Sequence, residues 1–119
     1  MNMTELISQL HVQADQIEFA DVMAVIAEHY DYTATQFSNG EGDDILINAA
    51  GTNEGSCRLF AFAQLNKLDQ AQTLALFGRF YREDVLQHPN GTDHGNIRNF
   101  IKYGWSGITF QGSPLQLKA

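Results

Sequence analysis

The chain has 119 residues, 44% of them hydrophobic, and a formal net charge of −7. That length fits one domain spanning 1–119 and leaves no room for a second core, and the apolar share excludes a disordered chain. Cys57 is the sole cysteine, which excludes an internal disulfide and fits a reducing compartment.

The charge is unevenly distributed. Residues 1–57 hold ten acidic side chains and no Lys or Arg; the remainder holds all seven cations against four acids. An acidic half laid against a mildly basic one explains this, as does an acidic face for a cationic partner. Nucleic-acid binding is disfavoured, because neutralising phosphates needs a surplus of Lys and Arg. Met1–Leu10 has neither the cationic start nor the apolar run of a signal peptide. No apolar run approaches the ~20 residues of a membrane span. The expectation is a cytoplasmic protein of the producing cell with no membrane partner.

In chain order, Thr4 is placed as the cap of a short helix with Leu6, Ile7 and Leu10 on one face. Phe19, Met23, Ile26 and Tyr30 recur at helical spacing and predict a second helix. From Phe37 to Ser56 no helical period survives. Asn39-Gly40 and Gly42 mark turns, Ile45–Ile47 reads as a short strand, and Gly51–Gly55 as a second loop. A polar segment this long is uncommon within a compact domain and points to function or to unrecognised structure.

Ser56 is placed as the cap of a helix through Leu65. Asp69, with Gln72 three residues on, reads as a capping box. The pattern that follows is apolar on nearly every side, so 69–87 is expected to be the central buried helix. Gly78 inside it implies close approach by another element. His88-Pro89-Asn90-Gly91 is a stop and turn, a last helix starts near Asp93, and Ile108–Phe110 is a short strand. The expected fold is α+β, mainly α, with about five helices around that central one and two or three short strands.

Two stretches, FSNGEGDDILINAAGTNEGSCRLFAFAQL from Phe37 and FGRFYREDVLQHPNGTDHGNIRNFIKYGW from Phe77, resemble signature sequences of the HopJ type III effector family. The resemblance runs from about Phe19 to Leu115. It implies a bacterial protein of unknown biochemical role, delivered into host cells by a type III system. It brings no catalytic residues with it.

Several groups are candidates for chemistry. Cys57 stands at a predicted helix start, where the dipole and free N–H groups favour a thiolate. His88 or His94 would be its base, oriented by Asp93 or Asn96; the alternative is a buried cysteine of the core. Asn39, Glu41 and Asp43 alternate as calcium ligands do, but Asp44 replaces the required glycine and Ala50 the bidentate glutamate. His88, Asp93 and His94 match no zinc motif, so neither a metal nor a cofactor is assigned. Gly51-Thr52-Asn53-Glu54-Gly55-Ser56 leads into a helix as phosphate loops do, yet Ser56 stands where a P-loop has Lys and Glu54 repels an anion. Asn39, Glu41, Asp43, Asp44, Asn48, Thr52, Asn53 and Glu54 together form a candidate binding loop, with Asn48, Thr52 and Asn53 also suited to bonding that loop to itself. Trp105, flanked by Gly104 and Gly107, is the expected exposed interface anchor. The functional reading is a non-enzymatic protein-binding domain of the HopJ type. The alternative is a small cysteine-dependent hydrolase or transferase using Cys57 with His88 or His94.

Overall fold

A computed structural model describes all residues, 1–119. Five α-helices form in chain order: α1 Met3–Val12, α2 Phe19–His29, α3 Glu54–Leu65, α4 Gln70–Ala75 and α5 Gly95–Tyr103. Five short strands accompany them: β1 Tyr30–Tyr32, β2 Phe37–Asn39, β3 Leu46–Asn48, β4 Ile108–Phe110 and β5 Leu115–Leu117. The fold is therefore α+β and mainly α. β1 pairs antiparallel with β5, while β2 lies between β3 and β4 in a three-stranded antiparallel sheet. The strand expected at 45–47 forms one residue later, at Leu46–Asn48, and shares a sheet with that at 108–110 without touching it; Phe37–Asn39 intervenes.

The polar helix ends are set locally. Asn2, not Thr4, caps α1: its Oδ1 accepts from the Glu5 N–H at 2.8 Å, and the Glu5 carboxylate accepts from the Asn2 N–H. Asp69 and Gln72 form the expected reciprocal box at α4.

The central buried helix is α3 rather than the expected 69–87. Cys57, Leu59, Phe60, Ala61, Phe62 and Ala63 of α3 are all buried. Phe60 is the hub, its ring centroid 5.0 Å from Phe100, 5.4 Å from Phe77, 6.0 Å from Phe37 and 6.3 Å from Trp105. Such edge and tilted contacts fix ring orientation beyond what burial alone does. The pattern from 69 to 87 divides instead at Gly78, where φ is +62°. A Cβ there would lie 2.8 Å from the Phe19 backbone nitrogen and 3.0 Å from the Ile17 carbonyl oxygen. The close approach expected at Gly78 is the chain leading into α2, and it interrupts the helix. Beyond it the backbone resumes as a wider π-helical turn, Phe80–Val85.

The two charge halves do meet. Glu18 faces Arg79 at 3.2 Å and Arg82 at 3.6 Å, and Asp44 faces Lys102 at 2.6 Å. No helix is long and apolar enough to cross a membrane.

Candidate functional site

The Phe37–Ser56 segment is ordered by asparagines. Asn39 on β2 is fully buried, and Asn48 on β3 and Asn96 in the first turn of α5 nearly so. Asn39 Nδ2 donates to the Asn96 backbone oxygen at 2.8 Å and to Asn96 Oδ1 at 3.0 Å. Asn48 and Asn96 pair reciprocally, Asn48 Nδ2 to Asn96 Oδ1 at 3.1 Å and Asn96 Nδ2 to Asn48 Oδ1 at 2.9 Å. Asn53 Nδ2 extends the chain to Asn48 Oδ1 at 2.8 Å. These bonds offset the burial of the amides and fix one arrangement of their elements, with Asn39 Oδ1 the one oxygen of the group left buried without a partner. It ties the sheet to the starts of α3 and α5. Asn99 adds a clamp from α5, donating to the Asn39 and Asp44 backbone oxygens at 3.0 and 2.7 Å.

Beside this network opens a cleft of about 550 Å³. Its polar lining includes Asn48, Asn53, Ser56, His94 and Asn96; its apolar walls are Phe19, Leu46, Ile47, Phe77, Phe80 and Ile97. Size and lining suit a ligand-binding cleft with a few convergent polar groups. Its backbone is unusual. Asn53 and His94, which precede α3 and α5, both adopt left-handed conformations, with φ of 48° and 52°. Neither contributes a side-chain cap to its helix. Gly55 lets the Phe19 ring rest on the start of α3, for a Cβ there would lie 2.9 Å from Phe19 Cζ. The Phe80 ring packs edge-on against Phe19 at 5.3 Å and tilted against His94 at 5.3 Å. Asp84, also in the π-helical turn, holds His94 Nε2 at 3.1 Å from its Oδ2. Non-glycine residues at positive φ cost energy, and π turns are frequent at functional sites; both gather around this cleft.

The remaining expected residues fall elsewhere. Cys57 is 1% exposed, within the core, and does not line the cleft. Its Sγ donates to the Thr35 backbone oxygen at 3.5 Å, and neither His88 nor His94 is hydrogen-bonded to it. Burial pushes its thiol pKa up, outweighing the bonds to Tyr32 and Thr35 that lower it. The activated thiolate expected from the helix start is thus corrected: desolvation dominates the dipole at this depth. Tyr32 is shifted up as well, by burial and by its bond to Glu54.

His88 is exposed, and its backbone oxygen accepts from Arg98 Nη1 at 2.8 Å. Asp93 is taken by the same arginine, with Arg98 Nη2 at 2.7 Å from its Oδ1, and that bond holds its carboxyl below the ordinary range. Arg98 therefore staples the 88–93 loop, a structural use of residues considered above as base, orienting group and metal ligands. No three His, Cys, Asp or Glu side chains converge as metal ligands would.

Within the binding loop, Asn39, Asn48 and Asn53 are joined in one network, whereas Thr52 Oγ1 donates only to the nearby Ala49 oxygen at 2.7 Å. Asp44 binds Lys102 and Tyr103, and those bonds depress its pKa. Glu41 accepts from Ser106 Oγ at 3.0 Å, and Glu54 lies 3.9 Å from Arg58. Asp43 is exposed. Trp105 is not an exposed anchor: its ring packs on Phe60 and Phe100, and its Nε1 donates to the Leu68 oxygen at 3.0 Å. The sequence reading missed Phe19, Phe80 and Asp84 as parts of one site. Gly78 was the available signal, because it turns Phe80 out of the expected buried stripe.

The family model described as HopJ type III effector protein matches residues 3–115. The chain belongs to this family. Among solved structures, the HopJ-family chain is similar to the crystal structure of VPA0580, described as a protein of unknown function. The TM-score is 0.93 at 49% identity, covering 99% of this chain and 95% of that one. No curated protein matches this HopJ-family chain.

Proposed function

We propose that this HopJ-family domain is a non-enzymatic binding domain whose partner is a protein, engaged at the cleft and the strand beside it. One observation carries the reading: β3 is an unpaired edge strand bordering the cleft, with exposed apolar side chains on both of its faces. Ile47 is 63% exposed, Ile45 and Leu46 just before it are exposed, and Phe80 is exposed on the opposite wall. Native proteins usually blunt such edges, so an apolar one beside a cleft supports an interaction site there. The titratable side chain in the cleft, His94, is paired with Asp84, and the cysteine lies outside it. Under this reading the family's effector description makes a host protein the first partner to seek.

Panning a random peptide library on the folded domain and on its Ile47→Arg variant tests the proposal. Peptides should be enriched on the wild type and lost on the variant. Equal recovery on both, or no enrichment on either, would overturn it.

A further inference from the structure

The cleft beside the asparagine network has no charged wall. None of its lining side chains is Asp, Glu, Lys or Arg, and its one titratable member, His94, is held by Asp84 at 3.1 Å. The starts of α3 and α5 border it and would draw an anion, but each has a carboxylate of the protein beside it. These are Glu54 in the first turn of α3, and Asp84 on His94 directly before α5. A cation fares no better. Those carboxylates lie outside the lining, and each has its own partner, Arg58 at 3.9 Å from Glu54 and His94 on Asp84. A charged side chain entering the cleft would therefore give up water without gaining an opposite charge. The occupant that this lining admits is uncharged.

The lining has two characters, and an occupant has to meet both. Phe19, Phe77 and Phe80 make one side aromatic. Phe80 is 40% exposed, its ring edge-on to Phe19 at 5.3 Å and tilted against His94 at 5.3 Å, so an incoming ring can join the cluster in the same geometries. Asn48, Asn53, Asn96 and Ser56 make the other side polar. Asn53 Nδ2 donates to Asn48 Oδ1 at 2.8 Å, which leaves the Asn53 oxygen to accept from an incoming O–H or N–H. An aliphatic side chain would match the rings but strip water from the polar groups without replacing its bonds. A small amide or hydroxyl side chain would serve the polar groups and leave the rings uncovered. Tyrosine and tryptophan join a flat apolar ring to one O–H or N–H, and both are enriched as anchors of protein interfaces.

From this we infer that the cleft takes a tyrosine or tryptophan side chain of the partner protein as an uncharged aromatic anchor. Its ring packs against Phe80 and Phe19, and its O–H or N–H bonds at Asn53. The buried asparagine network holds the polar side of the cleft in one arrangement before the partner arrives, which lowers the ordering cost of binding. The inference rests on the cleft being the working site, as proposed above.

NMR shift titrations of the isotope-labelled domain with capped heptapeptides Ser-Val-Ser-X-Ser-Val-Ser test it, X being Tyr, Trp, Leu, Arg or Glu. The Tyr or Trp peptide should bind and move the amides of Gly55, Ser56, Gly95 and Asn96. The Leu, Arg and Glu peptides should each bind at least about tenfold more weakly. Phe80→Ala, at an exposed side chain, should weaken the aromatic peptide by a similar factor with an unchanged far-UV spectrum. Equal binding of the Leu peptide, or no binding of either aromatic one, would overturn the aromatic anchor. Equal binding of the Arg or Glu peptide would overturn the charge argument. Free N-acetyltryptophanamide binding as tightly as the Trp peptide would make a small aromatic molecule the occupant and likewise overturn the inference. Library panning that enriches peptides without Tyr or Trp, lost on Ile47→Arg, would leave the proposed function standing while this inference fails.

Discussion

Asn96 shows how much one polar side chain does here. Its amide meets Asn39 and Asn48 together, joining two strands to α5. Asn96→Ala leaves buried amide groups short of partners, a loss of about 2–3 kcal/mol, which urea denaturation would measure. His88→Ala, at an exposed side chain, should shift stability by no more than about 0.5 kcal/mol in the same assay. Cys57 should resist iodoacetamide at pH 7 in the folded protein and react once urea unfolds it, because burial keeps it a protonated thiol. Asp44 provides a pH-dependent link between the β2–β3 loop and α5. Its pKa is depressed in the folded state by Lys102 and then Tyr103. The contribution is therefore complete above the ordinary carboxylate value near 4 and is lost as pH falls through the lower folded value. Titration of Asp44 by NMR should show that depression, and Lys102→Met should move the midpoint back up.

Gly78 has the same weight at the scale of elements. Its positive φ and the backbone of Ile17–Phe19 against it divide what reads as one helix into α4 and a π-helical turn. Gly78→Ala should lower stability by at least about 2 kcal/mol, from conformational strain and from displacement of the α2 start, measurable as a fall in Tm. Periodicity made α2 and the strand at 108–110 legible, because a half-buried element writes its period into the sequence, while the short apolar run at 45–47 pointed to the strand that forms at 46–48. It could not show the break at Gly78, since Phe77 and Phe80 fit a continuous apolar stripe as well as a broken one. The left-handed turns at Asn53 and His94 were equally hidden, because loop conformation follows from packing rather than local pattern. The site was half visible. The asparagines stood out as a polar segment in a helical chain, but their burial and their tie to Asn96 needed the fold. The helix start that suggested a reactive Cys57 is real; its depth is what sequence could not give.

Over the whole molecule, three features coincide at one place: the asparagine network, the cleft between the starts of α3 and α5, and the unpaired edge of β3. The acidic and basic halves meet at contacts such as Glu18 with Arg79 and Asp44 with Lys102. The Lys102–Asp44 link is exposed and will weaken with salt, whereas the buried network will not. The asparagine floor of the cleft is therefore held without the ion pairs that tie the β2–β3 loop to α5. The most direct test of the account is an amide shift map of the isotope-labelled domain titrated with a peptide recovered by panning. Shifts concentrated at Leu46–Asn48, Phe80 and His94 are predicted. Shifts confined to another face, such as β1 and β5, with the β3 edge unmoved, would contradict it.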